Sequence, residues 1–350
     1  MRIRLRILVT AAACAFLCAQ AIQSQSRQEY PRTPWGGYPY AASYDAEVAD
    51  PDVHRVLYED AHIMFLEVAN PPGLDVRMHG HPYPSVFARD TGGAPVRGSG
   101  PASAAGIPID DTHLDPDSVF AGKGWGEAGP PLGLEFPRCT TAPPEGPHRP
   151  INHGAVPVHF YRIEFRRLDA EGLRAHWPEW YPWMLKPVKQ VPNLAPGPAL
   201  GPNLSAQWPY SRLYDSVLAA PDNYRLLYED GHVRLLEVTV RPGEATPMHG
   251  HPYASVLAFD AVPAEIVDRK LDPESPLNGQ GAGYGPPPSV LNMTVPTCST
   301  LGPQAPHSIE NKGDVPLHYY RIEFKRLDGE EFGSRWQEWY PWMKYMKNMR

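Results

Sequence analysis

Two stretches of this chain, "RMHGHPYPSV" from Arg77 and "PMHGHPYASV" from Pro247, each place two histidines two residues apart. In an extended strand such residues face the same side. His79 with His81, and His249 with His251, can therefore turn a pair of imidazoles toward one point. A third histidine follows each pair: His148 in "PEGPHRPIN" and His307 in "PQAPHSIEN". Two imidazoles from one strand and one from a neighbour can hold a divalent cation. Imidazole suits Zn, Cu, Fe and Ni, and three protein ligands leave positions for water or substrate. The plainer alternative is a set of histidines hydrogen-bonded to one another's surroundings, with no ion.

Other residues near these motifs could take part. Tyr83 and Tyr253 share the parity of the histidine pairs, which makes them candidates for catalytic or outer-shell contacts as well as for core packing. His159 with His318, and His62 with His232, lie on strands outside the motifs and read as structural. Arg162 alternates with Glu164, and Arg321 with Glu323; a solvated strand face is the ordinary place for such pairs. Cys139 and Cys298 occupy equivalent positions in the two halves. They read as buried free thiols, because a mutual disulfide requires them to meet near a pseudo-twofold axis. "GKGWG" and "GQGAG" do not join a strand to a helix, so they read as loops and not as nucleotide cradles.

These residues recur because the chain repeats. The segment from His54 to Asp90 aligns without a gap to that from Tyr224 to Asp260, and "HFYRIEFRRLDAEGLRAHWPEWYPWM" from His159 answers "HYYRIEFKRLDGEEFGSRWQEWYPWM" from His318. The first copy is longer between these blocks, around Thr91 to Pro137, where a Gly- and Pro-rich loop elaboration is expected. The repeat predicts domains over 38–185 and 208–350, joined by a stiff Pro-rich linker over 186–207. "RLLYEDGHVRLLEV" reads as a hairpin around Asp230-Gly231. A helix is expected around Asp169 to Trp180. The aromatic "EWYPWM" endings should pack on their own barrel or on the partner copy, with a ligand lid as the rival role.

The first 21 residues carry three arginines, an apolar run and Ala19-Gln20-Ala21, which predicts a signal peptide and export to the periplasm or beyond. Residues 22–37 read as a mobile lead-in. Loss of the leader makes the net charge of −7 three units more negative, which argues against nucleic acid as a partner. No later segment is apolar enough to span a membrane. The 43 prolines and the many alternating strand patterns point to an all-β chain.

At this point the residues resemble a known family. Pro72-Gly73, His79-x-His81 and Pro147-His148-x-x-x-Asn152 look like the two motifs of the cupin superfamily, and so do Pro242-Gly243, His249-x-His251 and Pro306-His307-x-x-x-Asn311. The resemblance implies a bicupin: two tandem jelly-roll barrels of the double-stranded β-helix type, with His79, His81 and His148 as metal ligands in one and His249, His251 and His307 in the other. Ser85 and Ser255 stand near where cupins often supply a glutamate, and Asp90 and Asp260 lie too far along. The expected site is thus three histidines without a carboxylate, although Glu164 or Glu323 could substitute from another strand. Similarity to three-histidine cupin dioxygenases implies Fe(II), with Cu, Mn, Ni or Zn as alternatives, and a small oxygenated substrate. The rival functions are a metal-dependent isomerase or lyase and a non-catalytic cupin that binds a small ligand or metal. A homo-oligomer is compatible with either.

Overall fold

The computed structural model describes residues 37–90, 94–97, 106–121, 137–168, 170–185, 208–263, 265–278, 296–327 and 335–348. The expected leader, residues 22–36, the linker and both glycine motifs lie outside the described residues.

The first copy contains β1 (His54–Glu59), β2 (Ile63–Asn70), β3 (His79–His81), β4 (Ser85–Arg89), β5 (Ala94–Arg97), β6 (Gly106–His113), β7 (Arg138–Ala142), β8 (Glu145–Asn152) and β9 (Val158–Phe165). The second contains β10 (Tyr224–Glu229), β11 (Val233–Val240), β12 (His249–His251), β13 (Ala254–Ala261), β14 (Ile266–Lys270), β15 (Thr297–Leu301), β16 (Gln304–Asn311) and β17 (Leu317–Phe324). In the first copy the sheet orders are β1-β2-β9-β4-β7 and β3-β8-β6-β5; in the second they are β10-β11-β17-β13-β15 and β12-β16-β14. From β11 to β17 successive strands alternate between the two sheets. The same alternation runs from β2 to β9 once β5, an added strand parallel to β6, is set aside. This winding is the double-stranded β-helix, so the chain is a tandem pair of cupin-fold barrels. The stretch expected as a loop elaboration contains β5 and β6, so part of it is sheet.

Local chemistry sets the hairpins. The Asp60 carboxylate accepts hydrogen bonds from the His62 and Ile63 amides at 2.8 and 2.9 Å, and Asp230 accepts from His232 and Val233 at 2.7 and 2.9 Å. That cap explains why Ala61 can replace Gly231: neither turn uses a positive φ there. Gly73 and Gly243 do, at 65° and 75°, so glycine is required at those two motif positions.

Strands β2, β9, β11 and β17 are buried along their whole length. Their inner faces fill the barrels. Their outer faces meet across the molecule, where Phe65, Ile163 and Phe165 pack with Leu235, Ile322 and Phe324 in one cluster. A sheet covered on both sides needs nearly continuous apolar runs, which is what "HIMFLEV" and "HVRLLEV" supply. At the edge of this interface Cys139 and Cys298 form a disulfide, with Cα atoms 6.2 Å apart. The free-thiol expectation is therefore corrected: β7 and β15 meet near the pseudo-twofold axis.

The aromatic endings are exchanged between barrels. Helix α1 (Ala170–Trp180) leads to Tyr181, whose ring lies 4.4 Å from that of His318 in the second barrel. Tyr340 lies 4.3 Å from His159 in the first barrel and donates to Asp90 at 3.2 Å. Met343 and Met346 follow it into the core beside Leu66 and Val68. Each buried apolar side chain of this kind contributes about 1.5–3 kcal/mol, so the exchange fastens the two copies together.

His159 and His318 are fully buried beneath these tails. His159 holds Asp90 at 2.9 Å and Glu67 at 3.2 Å; His318 holds Asp260 at 2.6 Å and Glu237 at 3.1 Å. Burial alone would lower their pKa, but the paired carboxylates outweigh it and raise both to about 9. These histidines form the ionic floor of the interface, in line with the structural role expected of them.

Candidate metal centres

The His-Gly-His segments are three-residue strands, fully buried, on the sheet opposite β9 and β17. The central glycine is forced by packing. A Cβ on Gly80 would lie 2.2 Å from the Tyr38 hydroxyl, and one on Gly250 would lie 2.9 Å from the Trp208 ring. Register brings the third histidine alongside, with His79 opposite His148 and His249 opposite His307.

In the second barrel one ligand atom from each of His249, His251 and His307 lies within 4.8 Å of the others. The Nε2 atoms of all three are buried without a hydrogen-bond partner. Each Nδ1, by contrast, is held. That of His249 lies 2.8 Å from the Pro247 carbonyl, that of His251 lies 2.8 Å from Glu323, and that of His307 lies 3.0 Å from Asp268. A held Nδ1–H fixes the tautomer and leaves the Nε2 lone pair for a cation. Three convergent, otherwise unsatisfied nitrogens fit a divalent transition metal.

The first barrel repeats the packing of the three rings. Ring centroids of the pairs 79/81, 79/148 and 81/148 are 5.4, 4.7 and 5.8 Å apart, against 5.2, 4.8 and 5.6 Å for 249/251, 249/307 and 251/307. The Nδ1 atoms again face fixed acceptors: the Arg77 carbonyl for His79, Glu164 for His81 and Asp111 for His148, at 2.7, 2.7 and 3.1 Å. Here the three ligand atoms that lie within 4.8 Å of one another belong to His54, His79 and His81. His54 was not singled out in the sequence. Its one signal there is that it stands opposite Tyr224 in the repeat, outside the His-x-His motif.

Electrostatics keeps the His79, His81, His249 and His251 rings neutral. Burial drives the His79, His81 and His251 pKa values far down; neighbouring imidazoles or arginines reinforce it. Burial and then His307 push His249 down to about 3. Neutral imidazole is the metal-binding form.

Arg162 and Glu164 do not sit on a solvated face as expected. Both are buried on the inner wall: Arg162 bonds Glu145 at 2.8 Å and reaches Glu164 at 3.1 Å. Arg321 likewise bonds Gln304 at 2.8 Å and reaches Glu323 at 3.0 Å. The glutamates address histidine Nδ1 atoms from behind, so they orient ligands. Burial pushes the Glu164 carboxyl up to about 8 against the pull of Arg162. Ser85 and Ser255 pair across the strands with Glu164 and Glu323, and their hydroxyls are buried without a hydrogen-bond partner. Tyr83 and Tyr253 are buried beside guanidinium groups, 5.9 Å from Arg166 and 4.9 Å from Arg234. Tyr83 is not among the residues that line the cavity of its barrel.

That cavity, about 20 Å³, adjoins the first centre and is bounded by His54, His79, His81 and His148 on one side and by Val68 and Phe160 among its apolar walls. It admits a water-sized ligand.

No protein-family model matches the chain, and no curated protein does. Among solved structures, it is similar to a cupin domain from Bordetella pertussis, at 18% identity over 29% of this chain and 92% of that one, with a TM-score of 0.22. It is also similar to an RmlC-like cupin protein with a double-stranded β-helix fold from Methanocaldococcus jannaschii, at 12% identity over 31% and 82%, with a TM-score of 0.20. An oxalate decarboxylase variant of Bacillus subtilis matches at 15% identity over 76% and 69%, with a TM-score of 0.20. The strand winding and the placement of both histidine motifs in this chain itself make the architecture that of a bicupin.

Proposed function

We propose that the chain is an exported, metal-dependent bicupin enzyme, an oxygenase acting on a small oxygenated organic substrate. The observation that carries this reading is the convergence of three buried, unpartnered Nε2 atoms at His249, His251 and His307, each with its Nδ1 fixed from behind. Among the described residues the carboxylates nearest these rings hold the Nδ1 side, so the donor set offered is nitrogen only. A nitrogen set of this kind suits Fe(II) and also Cu, Ni or Zn.

When bound, the metal supplies open positions for substrate and oxygen and the redox or Lewis-acid chemistry that joins them. The chain's own residues do the rest. His79, His81 and His148 would hold it in the first barrel, and His249, His251 and His307 in the second. Glu164, Glu323, Asp111 and Asp268 keep the ligand rings in one tautomer and orientation. Apolar walls such as Val68 and Phe160 keep bulk water out and limit what can enter to small molecules.

The test is oxygen uptake by the purified chain with a panel of small oxygenated compounds, after chelation and after reloading with Fe(II), Mn, Cu, Ni or Zn. Uptake should vanish on chelation and return with one redox-active metal. Turnover of the metal-free chain would overturn the reading. Turnover supported by Zn with no oxygen uptake would replace it with a lyase or isomerase.

A further inference from the structure

The two barrels differ in the space beside their histidines. In the first, the cavity of about 20 Å³ has one polar lining residue that is not a histidine, Asn70, whose side chain is buried at 4% exposure. The Asn70 Nδ2 donates to the Pro150 carbonyl at 3.1 Å. A carbonyl only accepts, so this bond fixes which end of the amide is which. The Oδ1 end is left buried without a hydrogen-bond partner. A buried acceptor of this kind is costly to leave unpaired, and a donor that enters the cavity would satisfy it.

The second barrel fills the same place. Strand register makes the positions equivalent: Asn70 stands opposite Val158 as Val240 stands opposite Leu317, and Phe160 opposite Val68 as Tyr319 opposite Val238. Leu317 is larger than Val158, Tyr319 carries a hydroxyl that Phe160 lacks, and Val240 offers no hydrogen-bonding group. Val240, Leu317 and Tyr319 pack with Tyr224 in one buried cluster. The Tyr224 ring lies 4.4 Å from that of His249, and its hydroxyl is engaged with Tyr319.

We infer that the first barrel, and not the second, has a subsite for the hydroxyl end of a small organic ligand, with the Asn70 amide oxygen accepting the hydrogen bond from that O–H. This deepens the function proposed above and rests on it for the cation alone. The cavity exceeds the roughly 10–15 Å³ that one water needs, so it takes a hydroxyl and the carbon that bears it. His79, His81 and His148 line the same cavity, so a hydroxyl held by Asn70 lies beside the cation that they would hold. A ligand without a donor leaves Oδ1 unpaired, and a site built in this way discriminates against it. Asn70 is thus a specificity residue of the first barrel.

The experiment uses crystals of the full chain grown with Co²⁺ and soaked in methanol, the smallest organic hydroxyl. The parent is compared with Asn70→Val, which puts at this place the residue that the second barrel carries. The readouts are electron density in both barrels and the Co²⁺ anomalous signal from the same crystals. In the parent, methanol should lie with its oxygen about 2.5–3.0 Å from the Asn70 Oδ1, with no counterpart beside Val240. In Asn70→Val it should be lost. Methanol retained in a folded Asn70→Val chain, equal methanol density in both barrels, or water alone in the soaked parent would overturn the inference. The parent soak decides it even if the variant fails to fold. Co²⁺ at the histidines without methanol at Asn70 would remove the subsite and leave the metal-binding reading intact. Methanol at Asn70 without Co²⁺ at the histidines would do the reverse.

Discussion

The two barrels are built from one repeat, yet they treat the same glutamate differently. Glu323 of the second barrel meets two guanidinium groups: Arg321, and Arg234, which also binds Asp215. Glu164 of the first meets Arg162, and where Arg234 would stand there is Met64. Burial therefore raises the Glu164 carboxyl to about 8. Both glutamates still hold a ligand histidine at nearly equal distance, 2.7 and 2.8 Å. The comparison teaches that ligand geometry has been kept in both copies while its charge support has diverged.

The largest effects should come from the ligands themselves. His79→Ala/His81→Ala and His249→Ala/His251→Ala should each remove one metal per chain and leave the other in place, read by elemental analysis. Loss of both metals from either double variant would break the picture of independent centres.

Next are the two glutamates. Glu323→Gln takes a carboxylate from both Arg234, which keeps Asp215, and Arg321, which keeps Gln304, and removal of one partner from a buried pair costs about 3–5 kcal/mol. Glu164→Gln takes a carboxylate from Arg162 alone, which keeps Glu145, and should cost clearly less, as measured by denaturant unfolding. Each variant should weaken metal binding at its own centre by about 10–100-fold. Equal destabilisation by the two substitutions would contradict the difference in charge support.

A smaller effect should be common to both halves. His159 and His318 have folded pKa values of about 9 against an ordinary 6.5. A raised pKa means that the folded state binds the proton more firmly. Their contribution is complete below pH 6.5 and is lost as pH rises through about 9. It is on the order of 3 kcal/mol each. Thermal melts between pH 6 and 10 should show this decline, and His159→Gln should flatten part of it. A melting temperature that holds steady to pH 10 would count against the paired-carboxylate account.

The smallest effect concerns the exchanged tails. Tyr340→Phe removes a 3.2 Å bond to Asp90, whereas Tyr181→Phe removes only a 3.5 Å contact to Asp260. The first should cost about 0.5–1.5 kcal/mol and the second less, with both measured by chemical denaturation.

Much of this was legible in the sequence because it depends on local periodicity. The His-x-His parity, the repeat and the Asp60 and Asp230 turns are short-range features. What sequence alone could not supply came from long-range contacts, within a barrel or between the copies. Cys139 reads as a buried thiol until β7 is seen beside β15. The alternation of Arg162 with Glu164 gives the same pattern on an inner and an outer face, and only the packing of a second barrel decides which is which. His54 lies 25 residues before His79, at no motif spacing, and only strand pairing brings it to the site. The tails were recognised as packing elements, but their crossing to the opposite barrel depends on a fold-level symmetry that no single segment encodes.

The most direct measurement is anomalous X-ray scattering from crystals of the full chain grown with a transition metal, recorded at that metal's absorption edge. Two peaks should appear in each molecule, one among His54, His79, His81 and His148 and one among His249, His251 and His307. Crystals that take up the metal elsewhere, with no peak at either histidine cluster, would contradict the account.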